Sequence, residues 1–415
     1  TLTGNKCLVD TFDRNFSFSV EHIAIAKKAD LFLVAPASAN VIAKMAHGIA
    51  DDMLTTTILA CKCPKIVSPA MNTGMFENQI VQDNLKTLRK YGMQVIEPAN
   101  GYLACGDSGA GKMPEPDVLL QYILRAVAYE KDLAGKHLLV TAGPTREAID
   151  PVRFISNHST GRMGYAIAKM AMLRGADVTL ISGPVALEPP MFVKTISVES
   201  AQDMYEAVMA EADDADIIIK SAAVADYAPA DVSQEKIKKT EGDAAIPLVR
   251  TKDILAALGE KKREDQFICG FAMETEHLLE NAKAKQKKKK VDMIVANSIR
   301  QRGAGHAKGR SVQRQLQRFP TRTVQCQRHR AARRLRRRVQ LPAQSRKPGT
   351  APLQPGGIAF RQLPVAGIQR LQDQVRRAGG AEQCQCTAHC SFLLHRGVLP
   401  QMLICSAGDH RQGLV

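Results

Sequence analysis

One segment of the chain combines glycine, hydroxyl, amide and basic side chains in a pattern suited to binding a phosphorylated ligand. It comprises residues 141–146 and 150–164. Ser159-Thr160-Gly161 opens a predicted helix, whose free amide groups and dipole favour a phosphate, and Gly161 and Gly164 would let the backbone approach the ligand closely. Asn157 can donate to and accept from an acyl group. A glycine-rich helix start alone is equally compatible with a tight turn.

Cysteine and histidine are the other candidates for chemistry. The five cysteines of the first 300 residues form no paired Cys-x-x-Cys units with zinc spacing. Cys61 and Cys63 are weak evidence for a metal, and reduced thiols are more typical of a cytoplasmic enzyme. Taken singly, Cys105 is more typical of a core thiol and His22 of a hydrogen-bonded structural residue. They become candidates only as members of an ordered set.

Strand-like and helix-like segments alternate around these residues. This alternation predicts an α/β fold with two doubly wound, Rossmann-like parallel-sheet domains, at 1–130 and 131–300, that collect ligands at the carboxyl ends of their strands. The clearest predicted elements are strands at 29–36, 65–69, 94–97, 137–141, 178–181 and 216–219 and helices at 39–47, 114–131, 164–174 and 201–212.

Residues 301–415 differ from the rest of the chain. The net charge of +16 arises there, because this tail is rich in Arg and has only three acidic residues, whereas acidic and basic residues nearly balance in the first 300. The tail shows no sustained helical or strand periodicity, and Arg333-Arg334-Leu335-Arg336-Arg337-Arg338 would repel itself in a packed element. One interpretation is a disordered, RNA-binding tail. We favour a non-native continuation, as after a reading-frame shift.

The segment at 141–164 resembles the signature of phosphopantothenate–cysteine ligases, and two further strings follow in the order of that family. One is Ala222 to Tyr227, with Glu235-Lys236-Ile237-Lys238-Lys239 shortly after. The other is Gly270 to Thr275, followed by a lysine-rich helix at 283–290 and by Ala296-Asn297. The resemblance implies that residues 131–300 join 4'-phosphopantothenate to cysteine in coenzyme A biosynthesis.

The ligase resemblance also assigns roles to single side chains. Lys236 would contact the triphosphate and the acyl-nucleotide intermediate, and Asn157 would help to convert that intermediate when cysteine attacks. Asp226 would hold the nucleotide or a Mg²⁺ ion. Lys220 stands where a small apolar residue is expected, and most lysines of the 283–290 run are expected to face solvent. The nucleotide, which is CTP in bacterial members, would be enclosed by Ala222, Phe271, Lys285 and Lys289.

Residues 1–130 resemble the flavin-dependent decarboxylase to which this ligase is commonly fused in bacteria. The resemblance implies FMN as cofactor and the conversion of 4'-phosphopantothenoylcysteine to 4'-phosphopantetheine. The family begins with a strand and a glycine-rich flavin-phosphate loop that this sequence lacks, so the first domain is expected to be incomplete. The matching strings are Val20-Glu21-His22-Ile23, Ala35-Pro36-Ala37-Ser38-Ala39-Asn40, Pro69-Ala70-Met71-Asn72-Thr73-Gly74-Met75-Phe76 and Ala104-Cys105-Gly106-Asp107-Ser108-Gly109-Ala110-Gly111.

The chemistry of that family explains these residue types. In that family, bound FMN would take two electrons from the substrate thiol to give a thioaldehyde. Carbon dioxide would then leave, and the reduced flavin would return the electrons while an acid protonates the enethiolate. The resemblance implies that Asn72 anchors the departing carboxylate, that His22 acts as a base or orienting group, and that Cys105 supplies the proton. Ser38, Asn40 and Met71 would contact FMN.

Two other classes of function compete with this interpretation. An NAD(P)-binding Rossmann oxidoreductase would need a compact GxGxxG and a later acidic residue, and neither is present. An RNA-binding protein acting through the tail would interleave aromatic with basic residues, yet the tail has only Phe319, Phe360 and Phe392. No apolar run approaches the roughly 18 residues that span a bilayer. We therefore expect a cytoplasmic enzyme with small-molecule substrates and no nucleic-acid or membrane partner, and the family resemblance implies that it is a homo-oligomer.

Overall fold

The computed structural model of the chain contains two six-stranded β-sheets with helices packed against them. The structure describes residues 7–9, 20–103, 106–239, 241, 244–274, 276–298, 389–395 and 398–406.

Helices and strands follow one another along both halves of the chain. The first part comprises β1 (Cys7–Leu8), α1 (Glu21–Lys28), β2 (Leu31–Ala37), α2 (Ala39–His47), α3 (Met53–Ala60), β3 (Lys65–Pro69), α4 (Thr73–Glu77), α5 (Gln79–Lys90), β4 (Gln94–Val95), β5 (Ala99–Tyr102), β6 (Ser108–Lys112) and α6 (Pro116–Val127). The second part comprises β7 (His137–Ala142), β8 (Arg146–Ala148), β9 (Phe154–Ser156), α7 (Arg162–Leu173), β10 (Asp177–Ser182), β11 (Lys194–Ser197), α8 (Ala201–Glu211), β12 (Ile217–Lys220), β13 (Tyr227–Pro229), β14 (Leu248–Arg250), α9 (Ile254–Lys261), β15 (Phe267–Glu274), α10 (Leu278–Lys288) and β16 (Met293–Ser298). The tail adds β17 (His389–His395) and β18 (Val398–Ser406).

The second sheet has the order β11-β10-β7-β12-β15-β16, and all its strand pairs are parallel. Its strand β7 is covered on both faces. Leu138 and Val140 pack with α6 and α7 on one face, whereas Leu139 packs with α8 and α9 on the other. Successive strand residues point to opposite faces, so a strand covered on both sides is apolar throughout. This architecture confirms the predicted doubly wound α/β fold.

The first sheet has the order β1-β18-β17-β2-β3-β4. Strands β2, β3 and β4 are parallel, as the sequence predicted. Strand β17 pairs antiparallel with β2, with Phe392 opposite Leu33, and β18 lies between β17 and β1. Two tail strands therefore cover the edge of β2 that faces away from β3.

The sequence pattern of the tail did not predict β17 and β18. Their apolar runs, Phe392-Leu393-Leu394 and Met402-Leu403-Ile404, are only three residues long and stand in an Arg- and Gln-rich background. A strand edge with unpaired N–H and C=O groups can pair with almost any extended segment, so pairing can form where the sequence pattern is weak. The Arg-rich run at 333–338 lies outside the described residues.

Helix α6 contributes to the cores around both sheets. Leu119 and Ile123 pack with the apolar residues of β2 and β3. Leu120 and Leu124 pack with those of β7 and α7. Because residues four apart share a helix face, these two pairs form adjacent apolar stripes. One helix thus buries one stripe against each sheet.

The predicted helix starts are observed in the structure. The Ser38 Oγ accepts a hydrogen bond from Val41 N at the start of α2, and Ser200 forms a capping box with Asp203 at the start of α8. Helix α7 begins directly after Gly161, two residues before the predicted start. Over the described ranges, no helix has the length and apolar character needed to cross a membrane.

Candidate functional site

The glycine-rich helix start lies at the carboxyl end of β7. Gly164, in the first turn of α7, packs so closely on this strand end that a Cβ atom there would lie 2.5 Å from the Ala142 Cβ. Gly161 has a φ of 72°, a left-handed conformation that favours glycine. Helix packing and the turn therefore account for both glycines without a ligand. Close approach of a ligand to this backbone stays a prediction.

Asn157 joins the loops that follow β9 and β12. Its Nδ2 donates hydrogen bonds to the carbonyl oxygens of Ala223 and Val224, each at 3.1 Å. Both partners are acceptors, so the amide nitrogen must be the atom that faces them. The residue is exposed, and within the described residues its Oδ1 has no hydrogen-bond donor. Asn157 therefore offers an acceptor to any ligand at this sheet edge.

The loop after β12 is fixed through its backbone. The amide nitrogens of Ala222 and Ala225 donate to the hydroxyl groups of Thr141, at 3.1 Å, and Thr145, at 3.0 Å. The Asp226 side chain is exposed and forms no hydrogen bond or ion pair with the rest of the described chain. It does not cap the loop, so its carboxylate is available to a cation or a nucleotide.

Two lysines in the last turn and at the C-cap of α10 contact neighbouring elements. Lys285 Nζ donates to the carbonyl oxygen of Phe271 at 3.1 Å, and Lys289 forms an ion pair with Asp253. Asp253 also caps α9 by accepting from Ala256 N. As predicted, most lysines of this run face solvent: Lys285 and Lys289 are half-buried, and the exposed ones are Lys283, Lys287, Lys288 and Lys290.

Lys220, the last residue of β12, lies in the electrostatic field of these groups. Burial and the charge of Lys285 lower the pKa of Lys220 to about 8, against the opposing effect of Asp253 and Asp226. Its Nζ has one hydrogen bond, to the carbonyl oxygen of Ala222 at 3.4 Å. Lys220, Lys285 and Lys289 together form a lysine cluster. The lysine cluster concentrates positive charge around Lys220, at the carboxyl end of β12 and beside Phe271 of β15.

Lys236 is placed differently from the other predicted residues. Its side chain is exposed, and among the described residues it makes no hydrogen bond or ion pair, with Asn157 or with any other. Its neighbour Ile237 is held by Asp150 and Arg153 at the turn of the β8–β9 hairpin. Asn157 follows the same hairpin. Lys236 and Asn157 are therefore linked through the hairpin, whose Asp150 and Arg153 side chains bond to the Ile237 backbone. The side chains of Lys236 and Asn157 are not in direct hydrogen-bond contact.

In the first sheet, Asn72 contacts the hairpin that carries the predicted acid. Its Oδ1 accepts from Gly74 N at 2.8 Å, which caps α4, and its Nδ2 donates to Asp107 Oδ2 at 3.0 Å. The backbone nitrogen of Met71 donates to the carbonyl oxygen of Gly111 at 3.0 Å. Cys105 lies outside the described residues, but both of these hairpin residues are close to it in sequence.

The remaining predicted residues of this half lie on helices. Ser38 is the N-cap of α2, and Asn40 is exposed in the first turn of that helix. His22 is half-buried on α1, and over the described ranges no hydrogen bond joins its ring to Asn72. The structure thus brings Asn72 to the Cys105 hairpin and does not connect His22 with them.

Two buried hydroxyl groups near Asn72 are candidates to bind a cofactor. Ser68 Oγ and Thr73 Oγ1 are buried without a hydrogen-bond partner in the described part of the chain. They lie on either side of Met71 and Asn72 in sequence, where a polar ligand such as FMN would satisfy them. No group of three or more His, Cys, Asp or Glu suited to a metal occurs in the described ranges. A Mg²⁺ ion at Asp226 would therefore need ligands from the nucleotide and water.

Three acidic residues that hold segments near the candidate site residues were not identified from the sequence. They share one property: each carboxylate fixes a neighbouring segment through bonds that depend on the folded chain. Asp253 precedes an apolar run as a helix N-cap does, and that signal could have identified it. The partners of the other two are distant in sequence, so no local pattern identifies them. The three residues are Asp107, Asp150 and Asp253.

The described residues form a two-sheet α/β protein whose candidate site residues lie mainly near the carboxyl ends of strands. Residues 133–340 match the family model for the C-terminal domain of DNA/pantothenate metabolism flavoproteins, and residues 1–128 match the flavoprotein family model. The chain is 49% identical over 307 residues to the coenzyme A biosynthesis bifunctional protein CoaBC of Bacillus subtilis, covering 73% of this chain and 75% of that protein. It belongs to the family of bifunctional coenzyme A biosynthesis enzymes.

Two further proteins are similar to parts of this chain. The CoaBC protein of Mycobacterium bovis is 46% identical over 304 residues, which is 70% of this chain and 72% of that protein. A crystal structure of the C-terminal domain of a CoaBC protein is 53% identical and covers 40% of this chain and 78% of that chain, with a TM-score of 0.36.

Proposed function

We propose that residues 131–300 are a ligase domain that joins 4'-phosphopantothenate to cysteine with CTP, and that residues 1–130 are an FMN-dependent decarboxylase domain that acts on the product. The observation that carries the proposal is the charged region at the carboxyl end of β12, where Asn157 bonds to the loop that carries Asp226 and the lysine cluster surrounds Lys220. Family membership supports the pathway. The decarboxylase-like part precedes the ligase-like part, as in the bacterial fusions that the sequence resembles.

The ligation needs an activated carboxylate, because a carboxylate oxygen is a poor leaving group. The carboxylate of 4'-phosphopantothenate attacks the α-phosphorus of CTP, forms an acyl-cytidylate and expels pyrophosphate. The amine of cysteine then attacks the acyl carbon, a C–N bond forms, CMP leaves and one proton is released. Negative charge concentrates on phosphate oxygens in the first step, so cationic positioning is the main contribution that the protein can make.

The proposed roles follow the charge of each group. Lys236, Lys285 and Lys289 bind the triphosphate and neutralise the charge that develops on pyrophosphate. Ala222 and Phe271 line the nucleotide pocket. Asp226 holds a Mg²⁺ ion together with the triphosphate, since this ion is usually bound through one or two carboxylates, substrate phosphates and water.

Asn157 acts in the second step. Its Nδ2 is committed to the carbonyl oxygens of Ala223 and Val224, so the atom that it offers to a ligand is Oδ1. An acceptor suits the incoming amine of cysteine, which carries N–H donors, better than it suits the acyl oxygen. Asn157 therefore orients the nucleophile while the lysines hold the nucleotide.

In the decarboxylase half, the chain's own residues bind and protonate. Asn72 binds the carboxylate that departs, His22 acts as the base or orienting group, and Cys105 protonates the enethiolate that remains. Asp107 positions the Asn72 amide through its hydrogen bond. Ser38, Asn40 and Met71 hold FMN, which supplies the redox chemistry when it is bound.

Localisation and oligomeric state are further parts of the proposed function. We propose a cytoplasmic homo-oligomer whose substrates are small molecules. Light scattering coupled to size exclusion measures the mass of the full chain, and a monomer across the micromolar range would contradict the oligomer.

The test of the ligase uses the full purified chain with 4'-phosphopantothenate, cysteine and Mg²⁺. We expect CTP to support formation of 4'-phosphopantothenoylcysteine together with CMP and pyrophosphate, and we expect EDTA to stop it. Parallel reactions with ATP test the choice of nucleotide. Product formation that needs no nucleotide would contradict the ligase assignment.

The decarboxylase is tested separately. Purified 4'-phosphopantothenoylcysteine is supplied to the same protein with added FMN, and released carbon dioxide is measured. The absorbance of the desalted protein near the flavin bands shows whether FMN is retained. Retained flavin without carbon dioxide release would leave a flavin-binding domain and would contradict the decarboxylase assignment.

A further inference from the structure

Asp150 has more partners than its position in a short turn requires. It is 3% exposed. Its Oδ1 accepts from the backbone nitrogens of Val152 and Arg153, each at 2.8 Å. Its Oδ2 accepts from Ile237 N at 3.2 Å and lies 3.0 Å from the Arg153 guanidinium. One oxygen therefore holds the local turn, and the other holds a segment 87 residues further along the chain.

The segment bound by Oδ2 has few other attachments. Both polar backbone groups of Ile237 are engaged, because its N–H donates to Asp150 and its carbonyl oxygen accepts from Arg153. One further hydrogen bond, from Ser233 N to the Ile149 carbonyl at 3.1 Å, anchors the start of the segment. Residues 234–239 are exposed and form no regular element. These bonds therefore decide where the segment lies.

The anchored segment carries Lys236, and the hairpin to which it is anchored carries Asn157. Lys236 directly precedes Ile237, whose N–H donates to Asp150, so this contact fixes the backbone position of Lys236. Strand β9 leads from Arg153 to Asn157, a rise of roughly 13 Å at about 3.3 Å per residue. The β8–β9 hairpin is thus a single support for two residues that would act in successive steps.

The electrostatics favour an ionised carboxylate at this position. Burial alone would raise the pKa of Asp150, but hydrogen bonds from the backbone nitrogens of Val152, Arg153 and Ile237 and the charge of Arg153 outweigh it, so the pKa is held below its ordinary range. A charged acceptor makes stronger hydrogen bonds with amides than a neutral one does.

We propose that Asp150 is a positioning residue of the ligation reaction, whose carboxylate fixes the Lys236 segment to the hairpin that bears Asn157. This inference rests on the proposed function of Lys236. Asp150 itself touches no substrate. It affects the reaction only by fixing the position of Lys236.

The test compares Asp150→Asn in the full chain with Asp231→Asn, an exposed acid on the same connecting segment. The asparagine keeps an oxygen for the turn amides, but its Nδ2 cannot accept from Ile237 N. We expect pyrophosphate release to fall at least tenfold in Asp150→Asn and to stay unchanged in Asp231→Asn. In the double variant Asp150→Asn/Lys236→Ala, we expect no loss beyond that of Lys236→Ala, because the two changes remove one contribution.

A second measurement does not depend on activity. Amide hydrogen exchange of residues 233–239 should accelerate in Asp150→Asn, while exchange in β7 and β12 stays unchanged. Unchanged exchange in 233–239, or a loss in the double variant equal to the product of the single losses, would overturn the positioning role. If the wild-type chain released no pyrophosphate, the ligase proposal would fail, and exchange alone would decide whether Asp150 anchors the segment.

Discussion

The two sheets hold their candidate residues in different ways. In the second sheet, side chains cross between strand ends: Asn157 bonds to the loop after β12, and Lys285 bonds to β15. In the first sheet, Ser38 and Asn72 each cap the helix that follows them, and Asn72 also donates a hydrogen bond to Asp107. Hydrogen bonds between elements therefore support the candidate ligase residues, whereas the assignment of the decarboxylase residues rests more on the family resemblance.

The largest expected effect tests the ligase side of this comparison. Lys236→Ala removes a cation that we place on the triphosphate, so pyrophosphate release should fall by about 100-fold or more, in the range seen when one charge-stabilising donor is lost. The control is Lys238→Ala, a change two residues away at an equally exposed lysine. Equal rates for the two variants would show that general positive charge, not Lys236, is required.

The next effect concerns stability and pH. Lys220 has a pKa of about 8 in the folded chain, and an unfolded lysine titrates near its ordinary value of about 10.4. Between these values the unfolded state binds more protons, so the free energy of unfolding rises with pH across that window. Lys220→Met removes the cost of the buried charge. We expect it to stabilise the protein by about 1–2 kcal/mol at pH 7, allowing for solvent screening.

The stabilisation by Lys220→Met should shrink above pH 8 and vanish near pH 10.5. Denaturant unfolding of wild type and variant at several pH values measures it, with the exposed Lys283→Met as control. A variant advantage that is the same at pH 7 and pH 10 would mean that packing, not charge, is responsible. Weaker CTP binding by Lys220→Met would add this residue to the nucleotide site.

The smallest expected effect compares the two halves directly. Ser38 and Ser200 cap α2 and α8, so replacement of either by Ala should lower the free energy of unfolding by about 1 kcal/mol. Only Ser38→Ala should also weaken FMN binding, which fluorescence titration measures. If both variants bound FMN equally well, Ser38 would be a cap and nothing more.

The fold was largely predictable because its strands are apolar runs covered on both faces. The strand at 137–141, the helix at 201–212 and the Ser200 cap follow from local pattern alone. The hairpins β8–β9 and β13–β14 were missed, since strands of three residues give too little periodicity. Strands β17 and β18 were missed because the edge of β2, not their own sequence, gives them a partner.

The candidate residues were predictable only in part. Family strings located Asn157, Asp226 and Lys285, whereas their contacts come from the fold. The bond of Lys220 to the Ala222 carbonyl depends on the path of the loop after β12, and the bond of Lys285 to the Phe271 carbonyl depends on how α10 packs against β15. The anchor of Lys236 is the clearest case, because Asp150 and Ile237 are 87 residues apart and no local rule joins them.

The measurement that tests the ligase proposal most directly uses Asn157→Asp in the full chain. The variant keeps an acceptor oxygen but loses the two Nδ2 hydrogen bonds that orient it, and its charge is repelled by the carbonyl oxygens of Ala223 and Val224. The acceptor that orients the amine of cysteine should therefore be displaced, and the second step should slow more than the first. The protein is incubated with 4'-phosphopantothenate, CTP and Mg²⁺, cysteine is added, and acid-quenched samples are analysed by mass spectrometry. We expect an acyl-cytidylate that persists in Asn157→Asp and is consumed in wild type. Release of CDP and inorganic phosphate in place of CMP and pyrophosphate would contradict the proposed reaction.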